Sequence, residues 1–123
     1  MARILHVGTK DAVTATRRAI LERAGHEVFV AHNLREVAAA CRSNSFDVVI
    51  LGQALPAKEK QRVVRTVRER CEPIRLLEYH NGIAPDLPIA DAHLHAASST
   101  PQALVDGVEH LVADLVREKE ERS

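Results

Sequence analysis

Short apolar runs alternate with longer amphipathic stretches along the whole chain of 123 residues, and this alternation constrains the fold more than any other feature. Runs of that length rich in Val, Ile and Leu are typical of strands buried on both faces. They predict strands over 2–8, 26–31, 46–52, 73–80 and around 92–96. The intervening stretches carry apolar residues at helical spacing and predict helices over 11–25, 34–43 and 57–71, with a last helix opened by Pro101.

Strands that alternate with helices in this way form a parallel sheet covered on both faces. Five such units predict an α/β domain of the flavodoxin-like, doubly wound type, with five parallel strands in the order 2-1-3-4-5. The chain length fits one domain with a core of its own. We assign 1–118 to this domain and 119–123 to a charged C-terminal tail.

The alternation breaks between the fourth and fifth predicted strands. The segment NGIAPDLPIADA (81–92) contains Pro85 and Pro88, which forbid a regular helix across it. We therefore expect the fourth helix of such a fold to be lost or degenerate, with an irregular loop over roughly 81–91 in its place.

Composition limits the classes of partner. The formal net charge is zero and aromatic residues are nearly absent, so we expect no nucleic-acid partner. No apolar run reaches membrane-spanning length, which predicts no membrane partner and a cytoplasmic protein. Cys41 and Cys71 lie in helix-like patterns, and we expect them to be buried free thiols in a reducing compartment.

The stretch FDVVILGQALP (46–56) poses the main functional question. It predicts a buried parallel strand whose carboxyl end reaches the rim where α/β proteins usually place their chemistry. The residue delivered to that rim is Gly52, which has no side chain.

Three segments carry a resemblance to a known family. They are ARILHVG at the start of the chain, ILERAGHEVFVAHNLREVAAACRSNSFDVVIL, and the QALP that follows. Together they resemble the receiver domains of bacterial two-component response regulators, of which CheY is the familiar single-domain member. The resemblance implies a phosphoacceptor aspartate ending the third strand, an acidic pair ending the first that binds Mg²⁺, a Ser or Thr ending the fourth, and a lysine ending the fifth.

None of these functional residues is kept at the matching positions. The acidic pair falls on Gly8 and Thr9, the phosphoacceptor on Gly52, the hydroxyl residue on Glu78 and the lysine on Ala96. A slip of one or two residues restores neither the aspartate nor the lysine. The sequence thus predicts a degenerate receiver with no aspartyl phosphorylation, no Mg²⁺ binding, no other cofactor and no enzymatic activity.

Two histidine pairings are further hypotheses. The resemblance places Glu78 and His93 at the positions that change rotamer together on activation, so they form a candidate switch pair. The simpler interpretation is that Glu78 points into water. His93 and His95 alternate along one strand and are candidate transition-metal ligands, although scattered imidazoles are the commoner outcome and we predict no metal site.

Two surfaces are candidates for protein contact. The predicted helix 57–71 carries a basic set expected on its solvated outer face: Lys58, Lys60, Arg62, Arg65, Arg68 and Arg70. The candidate interaction surface lies on the predicted loop and the fifth strand: Asn81, Ile83, Pro85, Asp86, Leu87, Pro88 and His95. The partner is an unidentified protein, and homodimerisation is the other arrangement considered.

The leading interpretation is a phosphorylation-independent pseudo-receiver that acts as a protein-interaction module in bacterial signalling or regulation. The alternative is a sensor that responds to a metal or to a small ligand such as a nucleotide, a flavin or another anion. It would use the carboxyl-terminal rim of the sheet, lined by Gly8, Thr9, Gly52, Glu78 and the histidines.

Overall fold

The computed structural model describes residues 1–9 and 11–122. The five strands are β1 (Arg3–Val7), β2 (Glu27–Ala31), β3 (Val48–Leu51), β4 (Arg75–His80) and β5 (Ala92–His95). The four helices are α1 (Ala12–Arg23), α2 (Leu34–Ser43), α3 (Ala57–Arg70) and α4 (Pro101–Glu121).

All five strands are parallel and lie in the order β2-β1-β3-β4-β5. The predicted doubly wound α/β fold and its strand order are confirmed. Successive side chains of each strand point to opposite faces, so the sheet has two cores. Helices α2 and α3 pack on one face around Leu5, Val49 and Val63. Helices α1 and α4 pack on the other around Ile4, Ile50 and Leu104.

Side-chain caps fix where three of the helices begin. Asp11 accepts a hydrogen bond from the Thr14 amide at the start of α1, and Thr100 accepts one from the Ala103 amide at the start of α4. Asn33 caps α2 in the same way through the Glu36 amide, while Glu36 accepts a hydrogen bond from the His32 amide. These short polar residues satisfy amide groups that the first helical turn leaves without partners.

The segment between β4 and β5 contains no helix, as the two prolines predicted. At the other end, α4 continues through Glu121, so residues 119–121 of the segment predicted as a tail are helical. The last residue of that segment, Ser123, lies outside the described residues. Among the helices that the structure describes, none is long and apolar enough to cross a membrane.

The prediction of two free thiols is wrong. Cys41 near the end of α2 and Cys71 just after α3 form a disulfide, with their Cα atoms 5.5 Å apart. The sequence places the two cysteines 30 positions apart, and linear spacing carries no sign of their approach. They meet because α2 and α3 lie side by side on the same face of the sheet, which brings the ends of the two helices within disulfide range.

Candidate switch site at the carboxyl edge of the sheet

Strand register brings the predicted rim positions to one edge of the sheet. Val7 pairs with Leu51, so Gly8 and Gly52 follow β1 and β3 at the same level. Leu51 in turn pairs with Glu78. Thr9 follows Gly8 directly, and the Ala96 amide donates to the His80 carbonyl just past the end of β5. The positions that the receiver resemblance selects therefore occupy the carboxyl edge.

The His6 side chain lies against both glycines. A Cβ atom at Gly8 would lie 3.0 Å from His6 Cε1, closer than ordinary packing allows, and one at Gly52 would lie 3.6 Å from the same atom. His6 is only 1% exposed. A side chain at position 8 would therefore require the imidazole to shift.

His6 belongs to a buried polar cluster. The Arg17 guanidinium has one Nη atom 3.5 Å from His6 Nε2, donates from the other to Gln53 Oε1 at 2.7 Å, and stacks on the Tyr79 ring with its carbon 3.5 Å from the centroid. Nδ1 of His6 is buried and has no hydrogen-bond partner among the residues that the structure describes. Burial, and then the charge of Arg17, lower the pKa of His6 to about 4, so its ring is neutral at physiological pH.

Glu78 and Lys60 form the second polar cluster, and both side chains are fully buried. The expectations that Glu78 points into water and that Lys60 lies on a solvated face are therefore wrong. Lys60 Nζ donates to Glu78 Oε2 at 2.7 Å, to the Tyr79 carbonyl at 2.9 Å and to Asp86 Oδ2 at 3.0 Å. An ammonium group has three donors, and these contacts use all of them.

Glu78 also holds the segment between β4 and β5. Its carboxylate accepts the amide hydrogens of Asp86 at 3.0 Å and Leu87 at 3.1 Å. The side chain of Leu87 is buried against the α2/α3 core. The attachments of this segment to the sheet thus include one buried carboxylate and one apolar side chain.

The candidate switch pair is close but indirect. Glu78 and His93 are register partners, and His93 Nε2 lies 3.7 Å from Glu78 Oε1. The same nitrogen lies 2.7 Å from the Leu87 carbonyl, which is its hydrogen-bond partner. Glu78 is thus bonded to Lys60 and to the segment, with His93 beside it.

The histidines of β4 and β5 form a small group of rings. His80 and His95 have centroids 5.3 Å apart, and His80 and His93 have centroids 6.5 Å apart. In the part of the chain that the structure describes, no group of three or more His, Cys, Asp or Glu side chains is arranged to hold a metal ion.

The candidate interaction surface is partly exposed. Within it, Asn81, Ile83 and Pro88 are exposed, Pro85 and His95 are half-buried, and Leu87 is buried. Asp86 is exposed to solvent, although its carboxylate accepts a hydrogen bond from Lys60 Nζ. Ile83 and Ile89 are two of the most exposed large apolar side chains, and Ile89 borders a groove of about 380 Å³ between the segment and α3.

Sequence reasoning missed Lys60 and Arg17 as site residues, although the pattern contained a signal for both. Lys60 precedes Val63, Val64 and Val67 at the spacing of one helix face, so it shares the inward face of α3. Arg17 lies between Thr14 and Leu21 on the inward face of α1 in the same way. A charged residue in register with an apolar stripe is the mark of a buried ion.

The residues at the rim do not fit a Mg²⁺ ion. This ion requires oxygen ligands in near-octahedral geometry, and Gly8 and Gly52 supply no side-chain oxygen. The nearby Asp11 carboxylate already accepts hydrogen bonds from the Thr9 hydroxyl and the Thr14 amide. The side chain beside both glycines is the neutral His6 ring, which contacts the cationic Arg17 and offers no negative charge to a cation.

No protein-family model matches this chain. A search of curated proteins gives no match either.

Solved structures do match over nearly the whole chain. The chemotaxis response regulator CheY4 of Vibrio cholerae is 23% identical, with a TM-score of 0.76 over 90% of this chain and 98% of that one. A CheY-like receiver domain protein from Methanospirillum hungatei is 20% identical, with a TM-score of 0.81 over 96% of this chain and 98% of that one. Response regulator TrrA of Thermotoga maritima, solved with Mg²⁺ and BeF, is 22% identical with a TM-score of 0.74, covering 90% and 99%. This chain has the fold of the CheY-like response regulator receiver domains.

Proposed function

We propose that this protein is a phosphorylation-independent pseudo-receiver, a non-enzymatic protein-interaction module in two-component signalling or a related bacterial regulatory system. The observation that carries the proposal is the buried Lys60–Glu78 pair at the edge where the receiver resemblance places a phosphorylation switch. The receiver fold of its structural neighbours supports the signalling context.

The residues at the rim oppose phosphoryl transfer. Covalent phosphorylation needs a nucleophile, and transfer needs a cation to neutralise the phosphoryl oxygens. Gly52 supplies no nucleophile, and Gly8 supplies no carboxylate for a cation. We therefore infer that the protein binds no Mg²⁺ at this edge and forms no aspartyl phosphate there.

The Lys60–Glu78 pair supports a constitutive conformation. In a receiver that switches, the hydroxyl position at the end of the fourth strand is free to move toward a phosphoryl group. Here that position holds Glu78, whose carboxylate is bonded to Lys60 Nζ and to two amides of the following segment. Releasing Glu78 would leave a buried charge without its partner, at a cost of about 3–5 kcal/mol. Such a cost favours a single conformation.

The segment that Glu78 holds is the proposed docking surface. Ile83 and Ile89 are exposed on it, and the groove beside Ile89 is bordered by Gln61, Val64 and Arg65 of α3. Exposed apolar side chains beside an apolar groove are typical of protein-contact surfaces. The partner would place an apolar side chain in this groove.

Beryllofluoride tests the input half of the proposal. We would titrate the protein with Mg²⁺ and beryllofluoride and follow the backbone amides by ¹H–¹⁵N NMR. The expected result is no saturable shift at Gly8, Gly52 or Glu78. Saturable shifts at these amides would show a working phosphorylation site and would overturn the proposal.

An affinity pull-down tests the output half. The bait would be the wild-type protein, an Ile83→Ser/Ile89→Ser variant, and a Val13→Ser/Val116→Ser control that removes two exposed apolar side chains elsewhere. We expect a partner captured by wild type and control but lost from the loop variant, with no change when acetyl phosphate is added. Loss from the control alone, or dependence on acetyl phosphate, would contradict the proposal. Light scattering of the purified protein would separate a foreign partner from a homodimer.

A further inference from the structure

A pocket of about 300 Å³ lies between α1, the end of β4 and the start of α4. It sits beside the rim, on the opposite face of the sheet from the Lys60–Glu78 pair. Its walls are largely apolar, formed by Val13, Ile20, Ala96, Pro101 and Leu104. This volume is at the lower end of the range for small-molecule sites, so its ligand would be little larger than one ring.

One of the residues that line the pocket is a cation without a carboxylate partner among residues 1–9 and 11–122. Arg17 lines the pocket and is only 7% exposed. Its contacts are with the His6 ring, the Gln53 amide oxygen and the Tyr79 ring, which are all neutral groups at physiological pH. Within residues 1–9 and 11–122, no Asp or Glu makes an ion pair with it. Buried charges are usually paired, so this guanidinium is a candidate for binding an external anion.

Two further features favour a negative charge at the same place. Helix α4 begins at the pocket wall, is capped by the Thr100 hydroxyl and has no acidic residue in its first turn, whereas the start of α1 is already capped by the Asp11 carboxylate. The start of a helix carries a partial positive charge. The hydroxyl residues Thr16, Tyr79 and Ser99 also line the pocket, and a hydroxyl group can donate a hydrogen bond. Burial lowers the pKa of Arg17 and the charge of Asp11, the cap of α1, acts to raise it, but the two side chains form no ion pair within residues 1–9 and 11–122.

We propose that this pocket binds a small organic anion, with a carboxylate on Arg17 and a single-ring or branched apolar body between α1 and α4. The charge on Arg17 sets the choice of an anion, and the apolar walls set the choice of an organic body over an inorganic ion. The site uses neither the docking segment nor the Lys60–Glu78 pair. The ligand proposal can therefore be wrong while the proposed function is right, and the proposed function can be wrong while the ligand proposal is right.

Benzoate is the test ligand, followed by ¹H–¹⁵N NMR titration of the intact protein. We expect saturable shifts at the amides of Val13, Tyr79, Ala96 and Leu104 in the millimolar range or tighter. Benzamide, which has the same shape without the charge, should bind about tenfold more weakly or worse. Inorganic phosphate should give no saturable shift at these amides, because it lacks the apolar body.

Arg17→Gln should abolish the preference for benzoate over benzamide, while Arg18→Gln, which alters the exposed neighbour paired with Glu22, should leave it unchanged. If Arg17→Gln fails to fold, Thr16→Phe decides, because Thr16 is exposed and a ring there would occupy the pocket mouth. Benzoate binding should be lost in that variant. The proposal would be overturned if benzamide or phosphate bound as tightly as benzoate, or if wild type showed no saturable shift at all. It would also be overturned if the titration of Arg17→Gln or Thr16→Phe matched that of wild type.

Discussion

Lys60 Nζ of α3 lies 2.7 Å from Glu78 Oε2 of β4, and neither side chain has any exposed surface. The two residues come from different elements and are joined across the α3 face of the sheet. Their remaining hydrogen bonds reach the Tyr79 carbonyl, Asp86 and Leu87, so one ion pair couples a helix, a strand and the segment that follows it.

Replacing Lys60 by Met should lower the free energy of unfolding by about 3–5 kcal/mol, because Glu78 would remain buried without its partner. The matched control is Lys58→Met, at an exposed position two residues earlier, where we expect a change within about 0.5 kcal/mol. Urea denaturation of the two variants measures both values. Equal stabilities would mean that the buried pair contributes nothing to the folded state.

The disulfide between Cys41 and Cys71 should contribute about 3–4 kcal/mol, because it closes a long loop with a sequence separation of 30 in the unfolded chain. Adding a dithiol reductant should lower the urea midpoint of wild type by the corresponding amount. The double variant Cys41→Ala/Cys71→Ala is the control, since the reductant has nothing to act on in it. A wild-type midpoint that ignores the reductant would show that the bond does not form in solution.

The stability should depend on pH through His6. Burial, and then the charge of Arg17, lower its pKa in the folded protein from 6.5 to about 4. Between those two pH values the unfolded chain binds more protons than the folded one, so the free energy of unfolding falls as the pH falls from about 6.5 to about 4. The loss should be roughly 3 kcal/mol.

The matched variants for this pH effect are His6→Gln and His110→Gln, the second at an exposed position on α4. Urea titrations at a series of pH values should show a much shallower decline for His6→Gln and a wild-type decline for His110→Gln. Two parallel curves would place the titrating group elsewhere.

Adding one methyl group at Gly8 should destabilise the fold by about 1–3 kcal/mol, since the new Cβ would lie 3.0 Å from His6 Cε1 and force the ring to move. Gly52→Ala is the comparison, because its new Cβ would meet Val7 O at 3.4 Å as its nearest neighbour. Thermal unfolding should show the larger loss for Gly8→Ala. If His6→Ala removes the cost of Gly8→Ala, the contact between the two residues is its cause.

Three features could be predicted: the strand order, the covering of both sheet faces by helices, and the absence of a helix between β4 and β5. Periodic apolar patterns and prolines indicate them because both act locally along the chain. The Lys60 and Arg17 clusters could have been found from their register with Val63 and Leu21, but a list of charges along α3 suggested an exposed face instead. The disulfide could not be predicted, because Cys41 and Cys71 meet only when α2 and α3 pack side by side. The strand register brings Gly8, Gly52 and Glu78 to one edge of the sheet, as expected. The hydrogen-bond partner of Glu78 could not be predicted, because it depends on how α3 packs against the sheet.

The contact between His6 and Gly8 also orders the substitutions that could lead from this chain to one with an acidic rim. A carboxylate at position 8 needs the space that the imidazole fills, so position 6 would have to change first. Changing position 6 alone also removes the ring that lies beside Arg17. The packing of one histidine ring therefore sets the order in which side chains at positions 6 and 8 could be exchanged.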